Sequence, residues 1–507
     1  MRGILLTAAA GALIVSSSAL AAIDVLFCQV AGNSKALVPP GSGLPGTTEF
    51  FFVTQTGFDR PFASPDGTKV FFTGRAGAPA VAADDECFVV LNGATATTVA
   101  REGTLIGSPD ANFVGPGPQR MGINDAGQFV FGYNTASATV NDDYIVKYDG
   151  ANFIAAVVEG QPVPTIAGEA LGSTLQSPNI LADGTVAYAA GSTVGALGTT
   201  QDDFLIVGNT VLVQHGVTPI GSFLWDVFNT SDFWVTHDNA HWLMVGDDTN
   251  PTTTEDKIVV VDNAVVVREG QVLPGSGFTS PVASALSATY EITMCNDGAW
   301  LLRSRNVDGE DWVVRNGTIL ATTDDPIVPA SAELFDDAPF ADCFFFIAGN
   351  AVGDYVVGGV TNAADLNANA VLVLNGTDVV VREGDMVDLN GNGLADDDAF
   401  VSVFNNDDGV LTDDLRLVFF ADIRNAALTS LGQAVLSIDL APAPCPADID
   451  GSNSVDVNDL LAVITTWGVC PGCPPATCPG DISPAGGDCN IDVNDLLLVI
   501  TTWGPCP

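Results

Sequence analysis

A unit of about 57 residues recurs along most of this 507-residue chain. That period constrains the fold more than any other feature, because tandem units of this length stack into arrays whose repeats contact their neighbours. Each unit opens with a turn ahead of an apolar strand. Examples are SPDGTKVFF around Asp66, INDAGQFVF around Asp125, LADGTVAYA around Asp183, THDNAHWLM around Asp238 and CNDGAWLL around Asp297. A degenerate NAVGDYVVGG around Gly353 and NNDDGVLTDDLRLVFF around Asp408 continue the series. A second signature follows each one: an acid, a β-rich strand, a turn and another strand, as in DKIVVVDNAVVVREGQVLPG and AVLVLNGTDVVVREGD. These begin near residues 86, 143, 203, 256, 311 and 370, with a shortened seventh, QAVLSIDL, near 433. Alternating Val, Ile and Phe broken by Asn-Gly, Asp-Gly and Asp-Asn turns is a hairpin signal. Long helical periodicity is absent from residues 22 to 440. About four strands per unit and seven units predict an all-β chain folded as a seven-bladed β-propeller. A β-solenoid or two β-sandwiches are the alternatives. The seventh unit ends at Leu440 without a VVREG-like strand, while ALVPPGSGLPG near the N-terminus resembles the VVREGQVLPGSG stretch of an internal unit. An N-terminal strand is therefore expected to complete the last blade and remove the free sheet edges.

The N-D-x-G-x-V-x-F and V-x-R-E-G-x-x-x-P-G patterns over residues 22 to 440 resemble the tandem-repeat propellers of secreted planctomycete-type bacterial proteins. The resemblance implies an exported β-rich body and no defined activity.

The N-terminus fits export. Met1-Arg2 precede an apolar run from Ile4 to Val15 and then SSSALAA, in which Ala19-Leu20-Ala21 has the small-x-small form of a signal-peptidase site. Residues 1–21 are thus expected to be a signal peptide with the mature chain starting near Ala22, and the run is too short for a comfortable transmembrane anchor. Export permits disulfides, and six of the ten Cys lie in residues 445–507.

Charge narrows the partners. The chain holds 61 acidic and 16 basic residues, a formal charge of -45, which repels phosphate backbones and excludes nucleic acid as a natural partner. Of the acids 50 are Asp, a residue of turns and calcium loops rather than of helices. Three His residues (His215, His237, His241) leave little room for imidazole-based catalysis, and neither G-x-S-x-G nor H-E-x-x-H is present. Arg101-Glu102, Arg268-Glu269 and Arg382-Glu383 recur at equivalent places, which favours strand-ending pairs between blades over a ring of catalytic carboxylates. Trp225, Trp234, Trp242, Trp300 and Trp312 suit packing between blades more readily than a sugar-stacking platform.

One body motif is sharper. From Asp388 to Asp398 oxygen donors alternate: Asp388, Asn390 and Asn392 at loop positions one, three and five, Gly393 at six, and Asp396 and Asp398 closing. Calcium takes six to eight hard oxygens around a tight turn, so an inserted calcium loop is expected.

Ala441-Pro442-Ala443-Pro444 reads as a linker ahead of a separate module, residues 445–507. That module contains DVNDLLAVITTWG from Asp456 and DVNDLLLVITTWG from Asp492, each a loop leading into a short helix. Counting Asp448 as position one, Asp450, Ser452 and Asp456 fall at three, five and nine, the Ser454 carbonyl at seven and Asp459 at twelve, the arithmetic of an EF-hand loop, with Asn453 in place of the usual Gly. The second loop, Asp481 to Asp495, is three residues too long. Asp488, Asn490, Asp492 and Asp495 fit its later positions, and Asp481 and Ser483 fit its start less well. The tail has eight Asp and no Lys or Arg, so its folding is expected to depend on calcium. Its Cys are expected to form disulfides, with zinc at Cys470 and Cys473 as the alternative.

Two such loop–helix units resemble a type I dockerin of the Cys-flanked kind. The resemblance implies two calcium sites and a docking surface for a cohesin-like or other extracellular receptor, with recognition positions corresponding to Val457, Asn458, Val493 and Asn494. The expected molecule is a secreted or cell-surface calcium-binding protein whose propeller binds or scaffolds, with a polysaccharide or protein as its ligand. The alternatives are a dockerin-bearing polysaccharide hydrolase or lyase, and a calcium-stabilised adhesin.

Overall fold

The computed structural model describes residues 22–30, 58–75, 86–93, 95–101, 121–134, 141–283, 290–336, 342–441, 445–452, 454–470, 478–483 and 489–506. Residues 1–21, the N-terminal ALVPPGSGLPG stretch, Glu102, Asn453, Cys473 and Asp488 lie outside these. One compact unit spans Ala22–Asp439 and a second holds Leu440–Pro507.

The first unit is a ring of seven antiparallel blades. Each of the first six runs from an inner to an outer strand in sequence order. Their inner strands are Phe58–Ala63, Met121–Ile123, Thr174–Ile180, Phe223–Val235, Glu291–Met294 and Phe344–Gly349. Blade seven begins at Phe400–Leu411, continues through Arg416–Arg424 and Ser430–Asp439, and takes its fourth strand, Ile23–Cys28, from the start of the chain. That strand pairs antiparallel with Ser430–Asp439, Asp24 facing Ser437 and Cys28 facing Ala434, and parallel with Val387–Asp388 on its outer side. The expected closure is therefore made, by Ile23–Cys28.

The 57-residue period has a physical basis in two features. The repeated Asp folds the first hairpin of blades one, three, four and five: Asp183 Oδ1 accepts from Thr185 N–H at 2.8 Å, and Asp297 Oδ1 from Ala299 N–H at 3.0 Å. The following Gly supplies the left-handed backbone that such a turn needs, with φ of 66°, 74°, 82° and 81° at Gly67, Gly127, Gly184 and Gly298. The Asn before the Asp ties blade to blade. Asn124 Nδ2 donates to the Leu181 carbonyl at 3.0 Å and Asn350 Nδ2 to the Thr412 carbonyl at 3.1 Å, each one blade onward.

Blade seven departs from the expected register. Its first hairpin turns at Thr412–Arg416, with Leu415 at φ 62°, and the Asp-Asp-Gly before it lies inside the strand Phe400–Leu411, where pairing slips between Phe404 and Gly409. Thr412 accepts the Arg416 N–H on its hydroxyl at 3.0 Å, so Thr-Asp-Asp-Leu replaces Asp-Gly as the turn.

Apolar strand faces meet between neighbouring blades. Phe71, Phe88, Met121, Phe129 and Phe131 fill the space between blades one and two. Phe27, Val70, Phe72, Val89, Val418, Phe420 and Val435 fill that between blades seven and one, so the ring is closed by hydrophobic packing as well as by pairing. Trp225 and Trp312 are wholly buried and Trp300 nearly so. Trp234 and Trp242 pack partly buried against the cores, which places these indoles in the packing role.

The second unit has two nine-residue helices, α1 (Val457–Thr465) and α2 (Val493–Thr501). Two-residue strands interlock its halves: Ser454–Val455 pairs with Gly504–Pro505, and Gly468–Val469 with Asn490–Ile491. Each half thus lends the strand after its helix to the loop of the other. A core of Ala447, Val455, Val463, Cys470, Ile491 and Val499 lies between them. Cys445 bonds Cys506 and Cys470 bonds Cys478. The disulfide at Cys470 removes the thiolate that a zinc site there requires.

Candidate functional site

Both helices of the second unit begin the same way. Asp456 and Asp492 are N-caps whose carboxylates accept from Asn458 and Asn494 N–H at 2.7 Å, and Asp459 and Asp495 reach back as the third helical residue to complete capping boxes. Asp459 Oδ1 also accepts from the backbone N–H of Ile449 at 2.6 Å and Asp450 at 3.2 Å, and its Oδ2 from Asp456 at 2.8 Å. Asp495 repeats this with Ile482 at 2.7 Å, Ser483 at 2.8 Å and Asp492 at 2.7 Å. Both closing carboxylates are fully buried. Burial alone raises the Asp459 carboxyl, but the N–H donors of Asp456, Asp450 and Ile449 outweigh it and hold the group below its ordinary range.

In the first loop Asp448, Asp450 and Asp459 bring carboxylate oxygens within 4.8 Å of one another. Asp448 Oδ1 and Asp450 Oδ1 both receive the Ser452 N–H, at 2.9 and 3.1 Å, which curls the loop around them. Ser452 Oγ donates to the Ser454 carbonyl at 3.0 Å, while Ser454 Oγ turns away to the Gly504 carbonyl. The result is an acidic cup of hard oxygens, the donor chemistry that calcium takes. The second loop differs. Asp481 Oδ2 accepts from Cys489 N–H at 2.7 Å, Asn490 Nδ2 donates to Asp492 at 3.3 Å, and Asp488 lies outside the described residues.

The body loop is organised around a residue absent from the expected ligand set. Asp397 Oδ2 accepts from Leu389 and Asn390 N–H at 2.7 and 2.9 Å, the task Asp459 performs in the tail. Asp388 is wholly buried and accepts from Gly391, Asn392 and Gly393 N–H. Asn390 Oδ1 and Asn392 Oδ1 cap local turns, and Asp396 accepts from Asn392 Nδ2 at 3.3 Å. Asp398 points to Ala426 N–H at 2.8 Å instead of into the loop. Among the described residues Asp388, Asp396 and Asp398 do not converge as the tail carboxylates do: Asp388 and Asp398 are held by backbone N–H groups and Asp396 by the Asn392 amide.

The helices carry a feature that the sequence reading missed. Val457, Leu461, Ile464 and Trp467 stand 53%, 50%, 49% and 50% exposed, and Val493, Leu497, Ile500 and Trp503 match them at 53%, 51%, 51% and 52%. Spaced at i, i+4 and i+7 with a Trp after, these form one apolar stripe per half, and Asn458 and Asn494 lie exposed beside them. The signal lay in composition: six apolar residues in nine exceed what one buried helix face holds.

In the ring, a central cavity of about 370 Å³ is lined by the inner strands of all seven blades. Two of its acids are paired: Tyr290 Oη donates to Asp232 at 2.5 Å, and Arg303 Nε and Ile347 N–H donate to Glu291 Oε2 at 3.1 Å. His237 sits at its wall with Nδ1 2.6 Å from Asn296 Oδ1 and Nε2 3.0 Å from the Ile123 carbonyl, so it spans from blade four to blade two. His241 lies outside, 2.6 Å from Asp262.

The recurring Arg residues whose side chains are described, Arg268 and Arg382, carry paired rather than free charges. Arg268 pairs with Asp248 of its own blade, and Arg382 makes a double hydrogen bond to Glu333 in the segment leading into its blade, at 2.8 and 2.9 Å. Pairing is thus local to each blade where the side chains are described, and not between blades.

No protein-family model matches the sequence, and no curated protein matches it. A puromycin hydrolase mutant complexed with PGG is similar in structure at 12% identity, over 75% of this chain and 54% of the hydrolase, with a TM-score of 0.39; the chain spans about half the hydrolase's length. An oligogalacturonate lyase in complex with manganese is similar at 11% identity over 83% of this chain and 96% of the lyase, with a TM-score of 0.38. The β-propeller domain of Cps50 (Swd1) from Myceliophteria thermophila is similar at 9% identity over 76% and 97%, with a TM-score of 0.34. Likenesses this distant assign no chemistry to the chain.

Proposed function

We propose that this chain is an exported propeller attached to an extracellular or cell-surface assembly by a calcium-folded, dockerin-like C-terminal module. The carrying observation is the internal twofold repetition of that module: two capped helices with buried closing Asp459 and Asp495, and two matching apolar stripes ending at Trp467 and Trp503. Exposed apolar surface duplicated in so small a unit suits a protein partner that buries it. Calcium neutralises the acidic cup and lets loop and helix pack, and the stripes with Asn458 and Asn494 meet the receptor. The signal-like N-terminus and the disulfides support an oxidising destination. Among the described residues no helix is long and apolar enough to cross a membrane.

Calcium calorimetry on the intact chain tests this, paired with chymotrypsin digestion before and after chelation. Calcium uptake that falls in Asp448→Ala, with tail cleavage appearing only after chelation, is the expected result. A tail equally resistant with and without calcium would remove the reading. Leu461→Asp with Leu497→Asp should keep calcium and lose retention on the producing cell surface.

A polysaccharide-cleaving reading draws on Asp232, Glu291 and Trp234 in the central cavity. Glu291, held by Arg303 and a backbone N–H, is fixed as an acceptor and poorly placed to protonate a leaving group. Turnover of acidic or neutral polysaccharide that Glu291→Gln abolishes would favour this reading over scaffolding.

A further inference from the structure

We propose that Asp202, Asp203 and His215 of blade three bind one divalent cation of the zinc class, at a site separate from the oxygen-only loops of the tail. The position is defined by the repeat. Blades two, four and six end their fourth strands with Glu159-Gly160, Glu269-Gly270 and Glu383-Gly384, and blade three places His215-Gly216 there. The backbone register is shared. His215 N–H donates to the Asp203 carbonyl at 3.0 Å, as Glu159 does to Asp143 at 2.9 Å and Glu383 to Ala370 at 2.9 Å. An imidazole therefore stands where its sister blades carry a carboxylate. Blade two shows the all-oxygen version, with Asp142, Asp143 and Glu159 gathered within 4.8 Å.

In blade three the ligand atoms of Asp202, Asp203 and His215 lie within the same 4.8 Å. His215 is only 5% exposed. Its Nε2 is 2.9 Å from Asp226 Oδ1, and because a carboxylate only accepts, Nε2 carries the hydrogen. In a neutral ring that leaves a lone pair on Nδ1. Nδ1 is buried, makes no hydrogen bond, and faces Asp203 Oδ2 at 3.3 Å. Ser192 N–H holds Asp203 Oδ1 at 3.2 Å, which fixes the direction of Oδ2. A buried lone pair aimed at a carboxylate is unfavourable until a cation lies between them. A separation of 3.3 Å is the ligand–ligand edge of a tetrahedron with bonds of about 2.0–2.1 Å, the zinc range. The carboxylate on the far ring nitrogen is the usual support of a metal-bound imidazole. Nitrogen in the donor set selects zinc, cobalt or nickel over calcium. Three protein ligands leave a fourth position for water.

The rival arrangement is an imidazolium held between Asp203 and Asp226, which binds no metal. A chain without a polyhistidine tag, stripped by chelator and then saturated with calcium to fill the oxygen sites, separates the two when titrated calorimetrically with zinc and spectroscopically with cobalt. One zinc per chain is expected, with a cobalt spectrum of low-symmetry nitrogen–oxygen ligation. His215→Gln and Asp203→Asn should each remove that ion, His215→Glu should abolish the preference for zinc, and Asp226→Asn should weaken binding about 10- to 100-fold. Asp202→Asn, at a residue less buried than His215, gives the same reading if the His215 variants fail to fold. No zinc uptake by the native chain, or equal uptake by the native, His215→Gln and Asp202→Asn chains, overturns the proposal.

Discussion

Arg268 and Asp248 form a buried ion pair inside blade four, with Nη2 2.5 Å from Oδ2, no exposed surface on the Asp248 side chain and 11% on Arg268. The same guanidinium donates through Nη1 to the Glu255 carbonyl at 2.5 Å. Removing one partner strands a buried charge, at a cost of about 3–5 kcal/mol, whereas removing both with apolar replacements costs far less. Arg268→Leu is expected to lower the urea midpoint by that order, and Arg268→Leu with Asp248→Leu to recover part of the loss. A double variant no more stable than the single one would show that the guanidinium acts through Glu255 and its own stem.

Cys445 and Cys506 join the two ends of the C-terminal unit across a separation of 61 residues. Six small or medium side chains make up its buried core, so the unit has little apolar burial to hold it. Chain-entropy arguments put the stabilisation from closing a loop of this length at about 4 kcal/mol. Cys445→Ser with Cys506→Ser should leave the propeller's melting transition in place and make the tail chymotrypsin-sensitive even with calcium present. Unchanged resistance would assign the tail's stability to the acidic loops and the Cys470–Cys478 bond.

The ring was legible because its repeat is written twice in most blades, once in the turn ahead of the second strand and once in the hairpin that follows, which ends in Arg-Glu-Gly in three of them. Both are local devices: an Asx turn such as that of Asp183 depends on residues two apart. Blade seven was misread at its turn because Thr412 and Leu415 make an equivalent hairpin without Gly, and the nearby Asp-Asp-Gly drew attention to a bulge instead. Loop positions in the tail were readable for the same local reason. What was not readable is which of several nearby side chains faces which: Asp226 behind His215, Asp397 as the organiser of the body loop, and the outward stripe from Val457 to Trp467 lie within about a dozen residues of their partners, but their direction is set by packing rather than by spacing.

Glu383 gives the propeller a dependence on pH. Burial, reinforced by the nearby Asp365 and opposed by Arg424, pushes its carboxyl up to about 7. The folded chain therefore holds a proton between the ordinary glutamate range and that value, where the unfolded chain has released it. Stability from this group is fully present below the unfolded pKa and is lost as pH rises through about 7. Native melting temperature should fall between pH 5 and 7.5, and Glu383→Gln should flatten that fall and exceed the native value at pH 8. Parallel pH profiles for the two chains would place the proton elsewhere.

Ring closure depends on one short strand from the far end of the sequence. Val25 is wholly buried opposite Leu436, and the Phe27 ring packs 5.5 Å from Phe72 of blade one, which itself meets Phe420 of blade seven at 6.1 Å. Gln29 and Gln433 add a reciprocal pair of hydrogen bonds, Gln29 N–H to the Gln433 carbonyl at 3.0 Å and Gln433 N–H to Gln29 Oε1 at 2.9 Å. Without this strand, Ser430–Asp439 becomes an open edge and the core between blades seven and one loses a wall. Val25→Asp buries a carboxylate on the closing strand, and burying an unpaired charge is costly enough to expel the strand. Hydrogen exchange should then quicken in residues 430–439 and 69–75 while residues 204–207 and 301–305, on the opposite side of the ring, keep their protection. Asp24→Asn, at the exposed neighbouring position, should leave all four segments protected. Slow exchange at 430–439 in Val25→Asp would mean that the inter-blade aromatic packing closes the ring without the N-terminal strand.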